Sequence, residues 1–249
     1  MLLKNSEKPH LALVIPVLNE AKNILPVFKE ISDFKNLFPP FEILVVDDGS
    51  QDESLAFLQE ARRRYKLPMR IFKHPIPLGK SAALYTAISQ AEAFWIATMD
   101  ADGQDNPLFI PEFLKQAEIL LKKGLSPMIV GERIKRRDYF SRRLATKIAN
   151  KIRSTLLKDN CSDTAAPIKV FSKSFFLSLP QFEGLHRFLP AFMKMKKGHV
   201  EMMPVIHRPR LHGKSKYTNI SRAFLGFFDL LGVYWFLKRN RNNRFFKEY

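Results

Sequence analysis

The sequence predicts an α/β fold, a mostly parallel sheet flanked by helices, and three observations carry that reading. Short apolar runs rich in branched and aromatic residues alternate with stretches of helical periodicity through the first half of the chain. Each run ends in turn chemistry built from Pro, Asn, Asp and Gly. The 249 residues are 46% hydrophobic and 12% aromatic, enough to build a core of that size.

The strands are expected at 11–17, 41–46, 69–72 and 94–99, each too short for a helix and apolar on both faces, as a strand buried between two helical layers requires. Between them, 21–34 places Ile24, Val27, Phe28 and Ile31 at helical spacing, 52–64 places Leu55 and Leu58, and 80–91 places Ala83, Leu84, Ala87 and Ile88. A further strand is expected at 128–130. From there the character changes. A basic helical stretch is expected at 139–157, carrying Arg142, Arg143, Lys147, Lys151 and Arg153, and 163–207 shows no clear period. Residues 1–128 hold 15 Lys/Arg against 16 Asp/Glu, whereas 129–249 hold 26 against 8, so the whole +17 charge lies in the second half. Such asymmetry calls for an anionic partner: substrate phosphate, an anionic membrane surface or nucleic acid. A single cysteine, Cys161, excludes a disulfide scaffold or a cysteine-rich zinc cluster and fits a reducing compartment.

An open parallel sheet binds ligands beyond the carboxyl ends of its strands. Those positions here are Pro16-Val17-Leu18-Asn19-Glu20, Asp47-Asp48-Gly49-Ser50-Gln51-Asp52 and Asp100-Ala101-Asp102-Gly103-Gln104. If the last strand runs on, Asp100, Asp102 and Gln104 project to one face. Paired carboxylates repel unless a cation joins them, and Mg²⁺ or Mn²⁺ takes oxygen ligands while leaving positions for a diphosphate. The bland alternative is a turn cap. Asp52 or Ser50 is expected to cap the following helix, Gly49 to permit a tight turn, and Asp48 to accept a hydrogen bond from a base ring N–H. Two P-loop mimics fail: Gly79-Lys80-Ser81 and Gly213-Lys214-Ser215 lack the required upstream glycine, at His74 and Arg208. No G-x-G-x-x-G follows a strand, which removes a nicotinamide or flavin site.

With those motifs assembled, the chain resembles glycosyltransferase family 2, enzymes of GT-A, Rossmann-like fold that use nucleotide-diphosphate sugars. The resemblance is carried by Pro16-x-x-Asn19-Glu20, Val45-Val46-Asp47-Asp48-Gly49-Ser50-x-Asp52, Leu78-Gly79-Lys80 and Met99-Asp100-Ala101-Asp102-Gly103-Gln104-x-x-Pro107. Gly131-Glu132-Arg133, Gly184-Leu185-His186-Arg187-Phe188-Leu189-Pro190 and Arg210-Leu211-His212-Gly213-Lys214-Ser215-Lys216-Tyr217 resemble the dolichyl- and polyprenyl-phosphate sugar synthases within it. The resemblance implies that Pro16, Leu18 and Glu20 line the nucleotide pocket and that Val46 and Asp48 read the base. It implies that Asp100, Ala101, Asp102 and Gln104 hold the diphosphate and metal, Asp100, Asp102 and Gln104 being the metal ligands. Arg133, Arg210 and Lys216 would contact phosphates, with Ser215 a neighbouring donor and Lys80 a further nucleotide-sugar-binding residue, and Asp102, Arg133, Arg210 and Lys216 would be the catalytic set. The family's Cys-Gly-Phe-Arg-like segment is replaced by Asp163-Thr164-Ala165-Ala166-Pro167-Ile168-Lys169, and the Gln-x-x-Arg-Trp motif of processive synthases is missing, which implies transfer of one sugar.

The expected organisation is a catalytic domain over 1–218 and an amphipathic, basic C-terminal helix and tail over 219–249. The apolar run 223–237 contains Asp229 and spans only ~22 Å of a ~30 Å hydrocarbon layer. Phe224, Phe227, Phe228, Leu231, Tyr234 and Trp235 at helical spacing, followed by Lys238, Arg239, Arg241 and Arg244, read as an interfacial helix, with an ordinary core helix or a homo-oligomer contact as alternatives. The run 11–18 lacks a signal cleavage site and reads as a strand. Peripheral attachment to the cytoplasmic face is expected, with a nucleotide-sugar donor and a polyprenyl-phosphate acceptor as partners and no nucleic acid. Alternatives are a hydroxyl acceptor, for which Asp102, Asp105, Glu183 or His186 would serve as base, a basic nucleic-acid binder, and an idle scaffold.

Overall fold

The computed structural model describes residues 8–134, 153–206, 208–212 and 219–239. Four strands, β1 (Leu11–Val17), β2 (Phe41–Asp47), β3 (Met69–Lys73) and β4 (Trp95–Thr98), are parallel neighbours in the order β3-β2-β1-β4. The helices α1 (Ala21–Phe34), α2 (Ser54–Tyr65) and α3 (Lys80–Gln90) connect them. After α4 (Ile110–Lys122) the sheet continues through β5 (Pro127–Ile134), β6 (Lys169–Ser172) and β7 (His199–Ile206) to the full order β3-β2-β1-β4-β6-β5-β7. Strand β6 is antiparallel to both of its neighbours, while β5 and β7 are parallel to each other.

The sheet is buried on both sides because successive side chains of each strand enter opposite layers. Leu11, Leu13 and Ile15 with Ile43 and Val45 meet α1, α2 and α4 on one face. Ala12 and Val14 with Leu44 and Val46 meet α3 and the later helices α5 (Lys173–Leu177), α6 (Leu189–Met195) and α7 (Asn219–Arg239) on the other. Continuous apolar runs in β1 and β2 are therefore what the layering demands.

Among the described residues α7 is an apolar helix rather than a basic one. Leu230 and Val233 are buried against the domain, and Phe236 meets Phe192 at 5.8 Å between ring centroids. Phe227, Phe228, Leu231 and Trp235 are exposed, Trp235 by 61%. The helix thus presents an apolar stripe to the core and another to solvent. Its last turn is basic: Lys238 lies over Tyr234 at 5.6 Å and Arg239 over Trp235 at 5.9 Å. Of the basic stretch expected at 139–157, residues 153–157 are helical and 139–152 lie outside the described residues, as does the tail 240–249.

Candidate active site

The loops leaving β1, β2 and β4 meet at one edge of the sheet because these strands are parallel and adjacent, so their carboxyl ends coincide. They enclose a cavity of about 370 Å³. Of the residues singled out from sequence, Pro16, Leu18, Glu20, Asp48, Lys80, Asp100, Ala101, Asp102 and Arg210 line it, joined by Val17, Pro77, Leu78, Gly79 and Glu183.

The second loop is set by its acids. Asp47 is fully buried and accepts the Ser50 N–H at 3.0 Å, closing a tight turn in which Gly49 has φ +73°. A Cβ there would stand 2.6 Å from the backbone of Ile76 and Pro77, so glycine is required by both conformation and space. Asp52 stands one residue before Glu53, the N-cap position of α2, and caps the helix from there, its Oδ1 accepting the N–H of Ser54, the first helical residue, at 3.0 Å. It also accepts from Ala21 N–H at the start of α1, and Ser50 Oγ accepts from Asn19 N–H, so both tie the β2 loop to the β1 loop. Asp48 accepts from Leu78 and Gly79 N–H, each at 2.9 Å, and from His74 at 2.7 Å. It thereby fixes the loop that opens α3, whose N-terminus reaches the cavity with its partial positive charge.

At the β4 end Lys80 Nζ donates to Asp100 at 2.5 Å, and Arg210 donates to Asp102 at 2.8 Å and to Glu20 at 2.9 Å. Burial, and secondly the charge of Asp100, push the Asp102 carboxyl above the usual range. Beneath them Asp105 is buried, accepts the Asp100 N–H at 2.9 Å, and is pushed up to about 7 by burial and then by Asp100. Two hard carboxylates on one wall, each paired with a cationic side chain that can pass to a phosphate, fit a divalent cation held jointly with a diphosphate.

Four expectations are corrected. Strand β4 stops at Thr98 and the chain turns at Gly103, φ +78°, so Asp100, Asp102 and Gln104 do not alternate along a strand. Gln104 instead donates through Nε2 to the Arg208 carbonyl at 3.1 Å, clamping the 208–212 segment to this loop, and does not line the cavity. Val46 is fully buried in the core beneath Asp48, because β2 runs on to Asp47 and turns Val46 toward α3. Arg133 forks onto Asp163 at 2.6 and 2.7 Å on the extension of β5 and is likewise not on the cavity wall. Ser215 and Lys216 lie outside the described residues. His186, read as a candidate base or a structural histidine, shares a 2.9 Å hydrogen bond with Ser81 Oγ at the head of α3.

Sequence reading gave His74 no role, because no motif surrounds it, and noted Leu78 and Gly79 only within the Leu78-Gly79-Lys80 motif, since their part is played by backbone amides. The sequence profile of Glycosyl transferase family 2 matches residues 12–179. A dodecaprenyl-phosphate galacturonate synthase of Rhizobium johnstonii is 31% identical over 241 residues, covering 95% of this chain and 70% of that protein. An undecaprenyl-phosphate 4-deoxy-4-formamido-L-arabinose transferase of Pseudomonas fluorescens is 29% identical over 222 residues, covering 88% and 63%. The chain therefore spans about two thirds of the length of these relatives. Glucosyl-3-phosphoglycerate synthase from Mycobacterium tuberculosis, solved with Mn²⁺, UDP-glucose and glycerol 3-phosphate, superposes with a TM-score of 0.69 at 18% identity, covering 91% of this chain and 80% of that one. At that identity the likeness concerns the fold, which is GT-A.

Proposed function

The chain belongs to glycosyl transferase family 2, and we propose that it moves one sugar, with inversion, from a nucleotide-diphosphate sugar to a polyprenyl-phosphate acceptor at a membrane surface. The observation that carries this is the cavity itself, where a carboxylate pair, Asp100 and Asp102, faces two cations, Lys80 and Arg210, at the carboxyl ends of parallel strands. The acceptor class is supported by relatives named for dodecaprenyl and undecaprenyl phosphate.

In this reading Pro16 and Leu18 flank the nucleoside, Asp48 accepts from the base, and Asp100 and Asp102 hold Mg²⁺ or Mn²⁺. The bound ion would supply Lewis-acid charge to the diphosphate. Lys80 and Arg210 turn from their carboxylates to the phosphate oxygens, where negative charge grows as the anomeric bond breaks. Interactions that strengthen as that charge develops lower the barrier rather than merely binding substrate. A phosphate monoester, with a second pKa near ~6, arrives as an anionic nucleophile and needs no base. The 219–249 segment serves as a membrane-interface element in the same reading. No described helix is long and apolar enough to cross a membrane. The exposed aromatic stripe of α7, ending in Lys238 and Arg239, supports peripheral attachment, and the cytoplasmic face is the side proposed.

One observation favours a second reading with a hydroxyl acceptor: Glu183 stands exposed on the cavity wall without a hydrogen bond or ion pair among the described residues, placed to act as a base. Supplying labelled nucleotide sugars with polyprenyl phosphate or with glycolipid alcohols, plus Mn²⁺, separates the two. Label in the polyprenyl-phosphate pool, lost in Asp102→Ala and retained in Glu183→Gln, is expected. Label only in the alcohols, abolished by Glu183→Gln, overturns the phosphate acceptor.

A further inference from the structure

His74 lies just past β3, 7% exposed, beneath the wall of the donor cavity. Its Nδ1 is 2.7 Å from Asp48 Oδ1 and its Nε2 is 2.9 Å from Thr86 Oγ1 on α3. An ionised carboxylate only accepts, so Nδ1 carries the proton and donates. Leu78 N–H donates to the same Oδ1, and Gly79 N–H donates to Oδ2. A carboxylate offers about four lone-pair positions, two on each oxygen. Oδ1 is therefore filled, and Asp48 has a single acceptor position left, on Oδ2, in a side chain that lines the cavity.

We infer that this count selects the base. The site takes a ring presenting one imide N–H between two carbonyls, a uracil or thymine, and His74 is the positioning residue that enforces the choice by occupying Oδ1. Guanine presents a ring N–H and an exocyclic amino group side by side and pairs with a carboxylate through both oxygens. With Oδ1 filled, its amino group enters the site without a partner, at a cost of roughly tenfold in affinity. Adenine and cytosine offer no ring N–H on that edge. This inference rests on the cavity being the donor site and adds which nucleotide the donor carries.

The test is calorimetric titration of the full chain, in Mn²⁺, with UDP, N3-methyl-UDP, GDP and IDP. IDP differs from GDP only in lacking the amino group, so the pair isolates the lone-pair count from ring size. UDP is expected to bind tightest, N3-methylation to abolish binding, and IDP to bind about tenfold more tightly than GDP. His74→Phe frees a position on Oδ1 and should close the gap between IDP and GDP. His74→Asn, whose amide nitrogen falls where Nδ1 stood, should restore it, whereas a merely structural histidine would move all affinities together and leave the ratios alone. GDP binding as well as IDP in the unmodified protein overturns the inference whether or not the variants fold, and leaves the donor site standing. Failure of every nucleotide to bind overturns both.

Discussion

Arg210 is the side chain on which the site's charge balance turns, and Arg210→Ala tests what it does. Its guanidinium joins Glu20 at 2.9 Å to Asp102 at 2.8 Å, and these carboxylates are only 14% and 9% exposed as side chains. Removing one member of a fully buried pair costs ~3–5 kcal/mol, while exposed pairs are worth under ~1 kcal/mol. Arg210 is 27% exposed, which places the loss between these limits, at about 1–3 kcal/mol. For a domain of this size that lowers Tm by roughly 2–12 °C. The effect on turnover should be larger, because a donor aimed at developing phosphate charge contributes roughly 10²–10³ in kcat. Arg210→Lys keeps the charge but loses the fork, so it should recover much of Tm and little of kcat. Scanning calorimetry beside initial rates at saturating donor separates the two quantities. A variant that melts several degrees lower yet turns over at the native rate would show that Arg210 only braces Glu20 against Asp102, and the proposed role at the leaving group would be wrong.

Two further outcomes follow from residues away from the cavity floor. Lys169 is buried and its ammonium is lowered to about 8, by burial first and then by Lys80. The folded state therefore releases this proton at lower pH than the unfolded chain does, so the penalty of burying the charge is fully present below pH 8 and is relieved as pH rises toward 10.5. Lys169→Met should be the more stable protein at pH 7, by ~3 kcal/mol at most, with the advantage shrinking between pH 8 and 10.5 in paired denaturation curves. Phe227→Ser with Phe228→Ser removes two rings that are each more than half exposed. Sedimentation with anionic vesicles should fall at least ~tenfold while Tm and nucleotide binding hold, and unchanged sedimentation would remove the membrane role of α7.

The first half of the fold was legible because each of its elements carries its own signal. A strand buried on both faces is a short apolar run between turns, and 11–17 and 21–34 coincide with β1 and α1 to the residue. The helix α4 was also within reach, since Ile110, Phe113, Leu114, Ala117 and Leu120 hold helical spacing, yet the reading passed it by. The later strands were not legible for a physical reason. The edge strand β7 is mostly half-buried, carries Glu201 and Pro204, and pairs with β5 on one side, while β6 opens on the buried Lys169. In the site, residues directly after strands were found, because strand ends announce themselves. Arg210 reaches partners 190 and 108 residues away, and its place came only through resemblance. His74 meets Asp48 and Thr86 at separations of 26 and 12 residues, and no local pattern marks such a bond.

The pairing of Lys80 with Asp100 and of Arg210 with Asp102 also bears on how a site of this kind tolerates its own charge. Four ionised groups on one cavity wall would be costly if left apart, since each loses hydration that only a partner of opposite sign offsets. Cross-pairing removes that cost before substrate arrives. When a diphosphate enters with a divalent cation, the carboxylates can pass to the cation and Lys80 and Arg210 to the phosphate oxygens, so every charge exchanges one partner for another and none is stranded. The exchange is close to neutral in total charge, which leaves the binding energy of the nucleoside free to position the anomeric carbon. A site built with Lys80 and Arg210 but without Asp100 and Asp102 would grip the product diphosphate as firmly as the donor, and release would slow. In the proposed reading the acids would set the strength of phosphate binding as much as they hold the ion, and Asp102→Asn should bind UDP without metal more tightly than the parent chain does.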